Sequence, residues 1–425
     1  MASTSSLDDY ATRRLRIAGG SMMRKDAIED SLAFLRAIYL QPIDVVAAES
    51  IARCGRFVNF ANYDYAGLSE DQRLKNAASN AALEQGIGAG ASRLVGGSRA
   101  VHDALERDIA DFLGVDDSIS LVSGYLTNSS LIGHLLTKSD LVFVDDLSHN
   151  SIMVGAEMSR ATVYRFAHND LADLAVQLER HRGKGKRALI VVEGLYSMDG
   201  DIPDLRRLVE LRDQYDAWLL IDEAHSIGVL GETGRGISEH FGVDAREIDF
   251  IVGTLSKTFG CSGGFIAGRK RVIDWLRFTL PAFVFSVGLS PVVAAAVREG
   301  LAILRAEPWR IRQLQDNARF FLDEARARGL DVGSAVGTAV VTIQFSTHQQ
   351  CMVSASELLR QGYYAPPIPQ LAVPKDRPRI RFFISALHKR SQITGALDIV
   401  EAVARDQQGA SVAEAVGEPA DALPA

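Results

Sequence analysis

Along residues 118–267, short apolar, β-branched runs alternate with stretches whose apolar positions recur every three or four residues. Short apolar runs bounded by turns predict buried strands, and the three-to-four spacing predicts amphipathic helices. The predicted strands are Ile119–Val122, Leu141–Val144, Thr162–Phe166, Ala188–Glu193, Ala217–Asp222, Phe250–Gly253 and Gly264–Ala267. Pro203–Tyr215 is the clearest helix between them. Leu205, Leu208, Val209, Arg212 and Tyr215 fall on one side, and Pro203 suits a first-turn position. Repeated strand–helix–strand order predicts an α/β fold built on a mostly parallel sheet covered on both faces.

The flanks read differently. Residues 1–55 carry one short apolar stripe, Ala33–Leu35 with Ile38 and Tyr39, and are expected to be an N-terminal helical segment; Phe57–Phe60 begins a small strand. Pro291–Arg305 predicts a long helix, and a second starts near Pro308, with Ile311, Leu314, Ala318, Phe321 and Leu322 at helical spacing. Shorter elements follow at Val340–Phe345, Ser354–Arg360, Ile380–Ile384 and Gln392–Ala404. The expected organisation is a large domain over 56–295, a small C-terminal α+β domain over 296–405, and a disordered Ala/Gly/Glu/Pro-rich tail over 406–425.

Composition narrows the function classes. The chain has 425 residues, 47% hydrophobic and 23% charged, which are values of a globular protein. Its formal charge of −7 is not the basic footprint of a nucleic-acid binder. Cys54, Cys261 and Cys351 are far apart with no CxxC, so neither a disulfide framework nor a zinc site is expected, and a reducing, cytoplasmic setting fits. Residues 1–25 show no apolar signal core. Phe278–Val297 is uncharged across its apolar run and about long enough to cross a bilayer, but Pro281, Gly288 and Pro291 would leave backbone groups unpaired in lipid. It reads as a buried loop followed by a helix.

In a parallel sheet, ligands gather beyond the carboxyl ends of the strands. After the first predicted strand come Ser123, Gly124 and Tyr125, a turn that would open a helix N-terminus toward an anion. After the second comes His149, able to stack on a flat ring or move a proton. Asp222 ends the fifth and needs a partner for its buried carboxylate, either a neighbouring Arg or Lys or a protonated ring nitrogen; His225 follows it. Lys257 follows the sixth, behind the hydroxyls of Thr254 and Ser256, and desolvation there would favour its neutral amine. Each alone fits an ordinary structural role. Together they supply what pyridoxal phosphate requires: an amine for its aldehyde, an acid for its ring nitrogen, a stacking group and a phosphate cup. Two competing motifs fail on context. Asp222–His225 spells a helicase motif without an upstream phosphate loop. Gly260–Gly264 matches a nucleophile elbow without a strand leading directly into it.

The runs Gly88–Val95, Val192–Asp201, Ile221–Gly228 and Gly253–Gly260, with Gly231–Gly236 around Arg235, resemble the α-oxoamine synthases. These are fold-type I, aminotransferase-like pyridoxal phosphate enzymes. They include serine palmitoyltransferase, 8-amino-7-oxononanoate synthase, 5-aminolevulinate synthase and glycine C-acetyltransferase. The likeness extends from about Phe60 to Ala404. It implies that Lys257 binds the cofactor covalently, that Asp222 partners the ring nitrogen, that His225 and Ser197 lie near the ring hydroxyl and that His149 stacks on the ring. It further implies that Gly124, Tyr125, Thr254 and Ser256 hold the phosphate, joined by Ser286 from the second subunit of a homodimer. Arg381 resembles the arginine that grips the amino-acid carboxylate. The run Asn62, Tyr63, Asp64 departs from the family's usual sequence beside the substrate pocket, and Ala365 stands where the family commonly has a second arginine. The implied reaction is a decarboxylative, Claisen-type condensation of Ser, Ala or Gly with an acyl thioester of CoA or a carrier protein. An aminotransferase, an aldolase or a non-catalytic subunit are the alternatives.

Overall fold

The computed structural model describes residues 55–368 and 377–409, together with residues 11 and 36 and the stretches 38–40, 42–45 and 47–52. In chain order the strands are β1 (Ile43–Val45), β2 (Glu49–Ala52), β3 (Gly55–Asn59), β4 (Asp117–Leu121) and β5 (Leu141–Asp145). They continue with β6 (Thr162–Phe166), β7 (Ala188–Glu193), β8 (Trp218–Asp222), β9 (Phe250–Thr254) and β10 (Gly264–Gly268). The last are β11 (Val340–Gln344), β12 (Tyr363–Tyr364) and β13 (Arg379–Phe383).

The central sheet has the order β4-β10-β9-β8-β7-β5-β6. The strands from β9 to β6 are parallel neighbours, whereas β10 runs antiparallel to both β4 and β9. Successive side chains of a strand point to opposite faces. Leu141, Phe143, Ile190, Val192, Leu219 and Ile221 therefore enter one buried cluster. Val142, Val144, Leu189, Val191, Leu220 and Val252 enter the other. Burial on both faces is why these strands read as continuous apolar runs.

Two smaller assemblies sit beside this sheet. Strands β1, β2 and β3 form an antiparallel ribbon that β12 extends in parallel, Tyr363 opposite Val58. Strands β11 and β13 form an antiparallel pair in which Thr342 faces Arg381. Arg379 is fully buried and reaches Asp199 at 2.5 Å and the Met198 carbonyl at 3.0 Å, which ties β13 to the loop after β7.

Several expectations shift. The helix expected over Pro203–Tyr215 spans Leu205–Gln214, because Asp204 accepts from the backbone N–H groups of Arg206 and Arg207 and so caps it. The N-terminal segment, expected to be helical, contributes β1 and β2. Ile38 and Tyr39 of the apolar stripe are helical as expected, Ala33–Leu35 lie outside the described residues, and the departure is confined to residues 43–52, which pair with one another and with β3. The region expected as Ser354–Arg360 is a longer helix, His348–Arg360, begun by the Thr347 side chain. The last helix runs from Arg390 to Gly409, past the expected start of the tail; residues beyond it lie outside the described ones. Among the described residues no helix is long and apolar enough to cross a membrane. The uncharged stretch is divided between the helices Pro281–Val284 and Pro291–Ala306.

Candidate active site

A cavity of about 410 Å³ opens at the carboxyl ends of the central strands. Its wall contains Ser123, Gly124 and Tyr125 after β4, His149 after β5, and Glu193 at the end of β7. Asp222 and His225 at the end of β8 complete it with Thr254, Ser256 and Lys257 at the end of β9.

The helix Gly124–Leu135 begins at this wall. Ser123 caps it through the Leu126 N–H, so the N–H groups of Gly124 and Tyr125 have no intrahelical acceptor. Glycine at 124 has a steric reason: a Cβ there would lie 2.7 Å from Thr254 Oγ1. Thr254 and Ser256 bond to each other at 2.8 Å beside that helix start. Two hydroxyls and two free N–H groups converge into an anion cup.

Asp222 is buried, yet its partner is neither Arg nor Lys. Oδ2 accepts from Asn128 Nδ2 at 2.6 Å, and Oδ1 from the Ala224 N–H at 2.9 Å. Its cross-strand neighbour is Glu193. Glu193 accepts from the His149 N–H at 2.7 Å and the Ser197 N–H at 3.4 Å. Burial, and then the nearby Asp222 charge, push the Glu193 carboxyl up to about 8.

Lys257 Nζ makes no ion pair with a described carboxylate and lies 5.7 Å from the centre of the Tyr63 ring. Desolvation pulls its amine down to about 8, against the pull of Asp222 and Glu193 for the proton. About one such amine in ten is neutral at pH 7, far more than for an ordinary lysine.

His225 is buried, stacks on Phe383 at 6.2 Å, and is pushed well below the usual histidine range by burial and then by Lys257. Its Nδ1 lies 2.7 Å from Tyr65 Oη. His149 is exposed on the cavity wall, caps the helix Asn150–Ser159 and is lowered by desolvation. Its Nδ1 lies 2.8 Å from Ser151 Oγ.

Arg381 sits over the Phe383 ring at 4.4 Å and donates from Nη1 to the Ser197 carbonyl at 2.8 Å. Its Nε is buried without a partner. Burial draws its guanidinium below the ordinary value. Nε is left as a donor for a carboxylate, and Arg381 is not itself among the residues lining the cavity.

Other expected site residues are placed differently. Asp64 faces away from the cavity: its carboxylate accepts from the Leu68 and Ser69 N–H groups and the Ser69 hydroxyl, closing a turn. Asn62 supports the same turn by accepting from the Asp64 N–H and donating to the Ala47 carbonyl. Tyr63 is the member of that run that reaches the site, its ring 4.6 Å from Phe383 and 5.8 Å from His225. Ser197 is buried beside the cavity and contributes its carbonyl to Arg381. Ser286 does not line this chain's cavity; it lies between Phe285, 84% exposed, and Val287, 54% exposed. Sequence reasoning missed Asn128, Glu193, Tyr65 and Ser151. Glu193 ends a predicted strand and was reachable by the same rule as Asp222. The run Thr127–Ser130, polar on every side of a buried helix, is the signal that could have found Asn128. Among the described residues no group of three or more His, Cys, Asp or Glu is placed to hold a metal ion.

A family model described as aminotransferase class I and II matches residues 56–400. The 8-amino-7-oxononanoate synthase of Fervidobacterium nodosum is 38% identical over 82% of this chain and 89% of its own. Among solved structures, serine palmitoyltransferase from Sphingomonas wittichii superposes with a TM-score of 0.84 at 29% identity, covering 90% of this chain and 98% of that one. The 8-amino-7-oxononanoate synthase of Francisella tularensis superposes with a TM-score of 0.73 at 25% identity, covering 83% and 99%.

Proposed function

The chain belongs to the aminotransferase class I and II family and, within it, to the α-oxoamine synthases, and from that premise we propose how its own residues carry out the reaction. The reading is that Ser, Ala or Gly condenses with an acyl thioester. A carbon–carbon bond forms between the amino-acid Cα and the thioester carbonyl, the thiol leaves, and the carboxylate departs as CO₂ to give an α-amino ketone. The observation that carries this reading is one cavity holding a desolvated, unpaired lysine amine, a carboxylate fixed by two donors, and a free helix N-terminus.

Pyridoxal phosphate fits those residues. The anion cup at Gly124, Tyr125, Thr254 and Ser256 suits its phosphate, Asp222 its ring nitrogen, His225 its ring hydroxyl, and Lys257 its aldehyde. When bound it supplies an electron sink for charge developing at Cα.

The remaining work falls to the chain. Asp222, held by Asn128 and Ala224, keeps a negative charge where a ring proton must stay. Arg381 offers its unpartnered Nε to the amino-acid carboxylate, and so orients the Cα–H bond. Lys257, once released, takes the Cα proton, since a neutral amine near pH 8 is a competent base. His149 lines the cavity around the reacting atoms, and Tyr63 stands beside Lys257.

A homodimer with shared sites is part of this reading. Ile87, Val95, Phe285 and Val287 are exposed apolar side chains on neighbouring segments: the Gly288 N–H bonds Ala91 and Ser290 bonds Ile87. A second copy would cover them and bring Ser286 to the partner's phosphate cup. A cytoplasmic location completes the reading. It is tested by incubating purified protein and pyridoxal phosphate with each amino acid and a series of CoA and carrier-protein thioesters. Release of free thiol and CO₂ only when both substrates are present is expected. Amino-group exchange with an oxoacid and no thiol release would replace this reaction by transamination.

A further inference from the structure

We propose that Tyr65 and Ser151 are positioning residues that hold His225 and His149 as neutral rings with the hydrogen on Nε2, so that both histidines meet the contents of the cavity as donors. Tyr65 is fully buried, and His225 Nδ1 is its hydroxyl's hydrogen-bond partner among the described residues. If Nδ1 carried the hydrogen, the tyrosine would have to accept, and its own O–H would be buried without an acceptor. That costs more than the bond contributes. Tyr65 must therefore donate, and Nδ1 must be bare.

His149 is fixed through a longer series of hydrogen bonds. Asn128 lies with one amide atom 2.6 Å from the Asp222 carboxylate and 3.1 Å from Ser151 Oγ. An amide oxygen would repel the carboxylate at that distance, so the atom is Nδ2, and it donates both hydrogens. Ser151 Oγ consequently accepts from Asn128, and among the described residues its own hydrogen has one acceptor in reach, His149 Nδ1 at 2.8 Å. The Ser151 N–H points at the same nitrogen from 3.3 Å. Two donors converge on Nδ1, so the ring hydrogen sits on Nε2. Among the described residues neither Nε2 has a protein partner, and both rings line the cavity.

This deepens the reading above and rests on it for its consequence. A His149 that donates from Nε2 can hold a carboxylate or a developing oxyanion but cannot take the Cα proton there, which leaves Lys257 as the base. His225 likewise can donate to a ring oxygen but not accept from it. The carboxylate that fixes the ring nitrogen and the hydroxyl that fixes His149 also share one amide, Asn128, so the two functions are set together.

The ring forms can be read without turnover. Full-length protein with ¹⁵N-labelled histidine, before and after loading with pyridoxal phosphate, is examined by two-bond ¹⁵N–¹H correlation. His149→Gln and His225→Gln serve to assign the signals. A pyridine-like Nδ1 and a pyrrole-like Nε2 are expected for both residues. Tyr65→Phe should move His225 alone toward a mixture of the two ring forms. Ser151→Ala should do so for His149 alone, and Ser151→Thr should restore it. A hydrogen on Nδ1 of either ring in the unmodified protein overturns the proposal, even if a variant fails to fold. So do patterns that stay unmoved in both variants. If the ring forms are as stated but no thioester is consumed, the reaction fails and this assignment stands.

Discussion

Asp222 offers the sharpest test, because its two oxygens have different partners that an amide cannot satisfy together. Oδ1 accepts from the Ala224 N–H and Oδ2 from Asn128. In Asp222→Asn one position becomes an N–H₂ facing a donor. One charge-assisted bond is lost in a buried site, worth about 1.5–3 kcal/mol. The variant should therefore lose roughly that much stability in urea unfolding of the cofactor-free protein. Catalysis should fall further. Without the negative charge the ring proton is no longer held, and about 3–4 kcal/mol of transition-state stabilisation goes with it. At 1.36 kcal/mol per decade this is on the order of a 10²–10³-fold slower exchange of the Cα proton, with amino-acid binding retained. The double variant Asp222→Asn with Asn128→Asp separates the two effects: an acceptor again faces a donor, so stability should largely return, while exchange should not. Deuterium exchange of the amino acid, followed by NMR, and urea titrations give both quantities. Exchange within threefold of the unmodified enzyme in Asp222→Asn, or rescue of exchange by the double variant, would refute the reasoning.

Other outcomes follow from the same geometry. Borohydride reduction of the loaded protein should fix the cofactor on the peptide containing Lys257, and peptide mapping that finds another lysine removes it from the role. The rate of that attachment should rise with pH through about 8, the value to which desolvation draws the amine, rather than above 10 as for a solvated lysine. Arg381→Ala should weaken amino-acid binding by about 2–4 kcal/mol and Arg381→Lys should recover little of it, read by spectral titration; a change under about 1 kcal/mol would place the carboxylate elsewhere. His168 lies 2.8 Å from Asp145 and 3.3 Å from Asp201, which against the cost of burial raise it to about 10. Its contribution should be fully present below pH 6.5 and lost as pH rises through about 10. The stability difference between the unmodified protein and His168→Gln should therefore shrink across that window.

The central sheet was legible because strands buried on both faces leave unbroken apolar runs, and the residues at or just beyond the ends of those runs, Asp222 and Lys257 among them, face the cavity as the carboxyl-end rule requires. What was hidden depends on distant chain segments. Tyr65 meets His225 across 160 positions, and no local pattern announces it. Asp64 looked like a pocket residue because it is acidic and beside Tyr63, but a turn has the better claim on its carboxylate: three donors within five residues. Strand β12 is two residues long and carries no periodic signal; it exists because β3 offers an open edge.

That last pairing has a consequence for how the protein is made. Strand β3 leaves the ribosome early, and the segment that pairs with its open edge is encoded about 300 residues later. At about 5–20 residues per second, the nascent chain spends roughly 15–60 s with that edge unfilled while the central sheet is completed. An unpaired edge is a template for any other strand. Synthesis that stalls after the central sheet but before Tyr363 should yield a chain with Lys257 in place and an adhesive N-terminal ribbon. Ribosome-bound intermediates should accordingly become protease-resistant in two steps, the second coming only after Tyr364 has emerged from the exit tunnel.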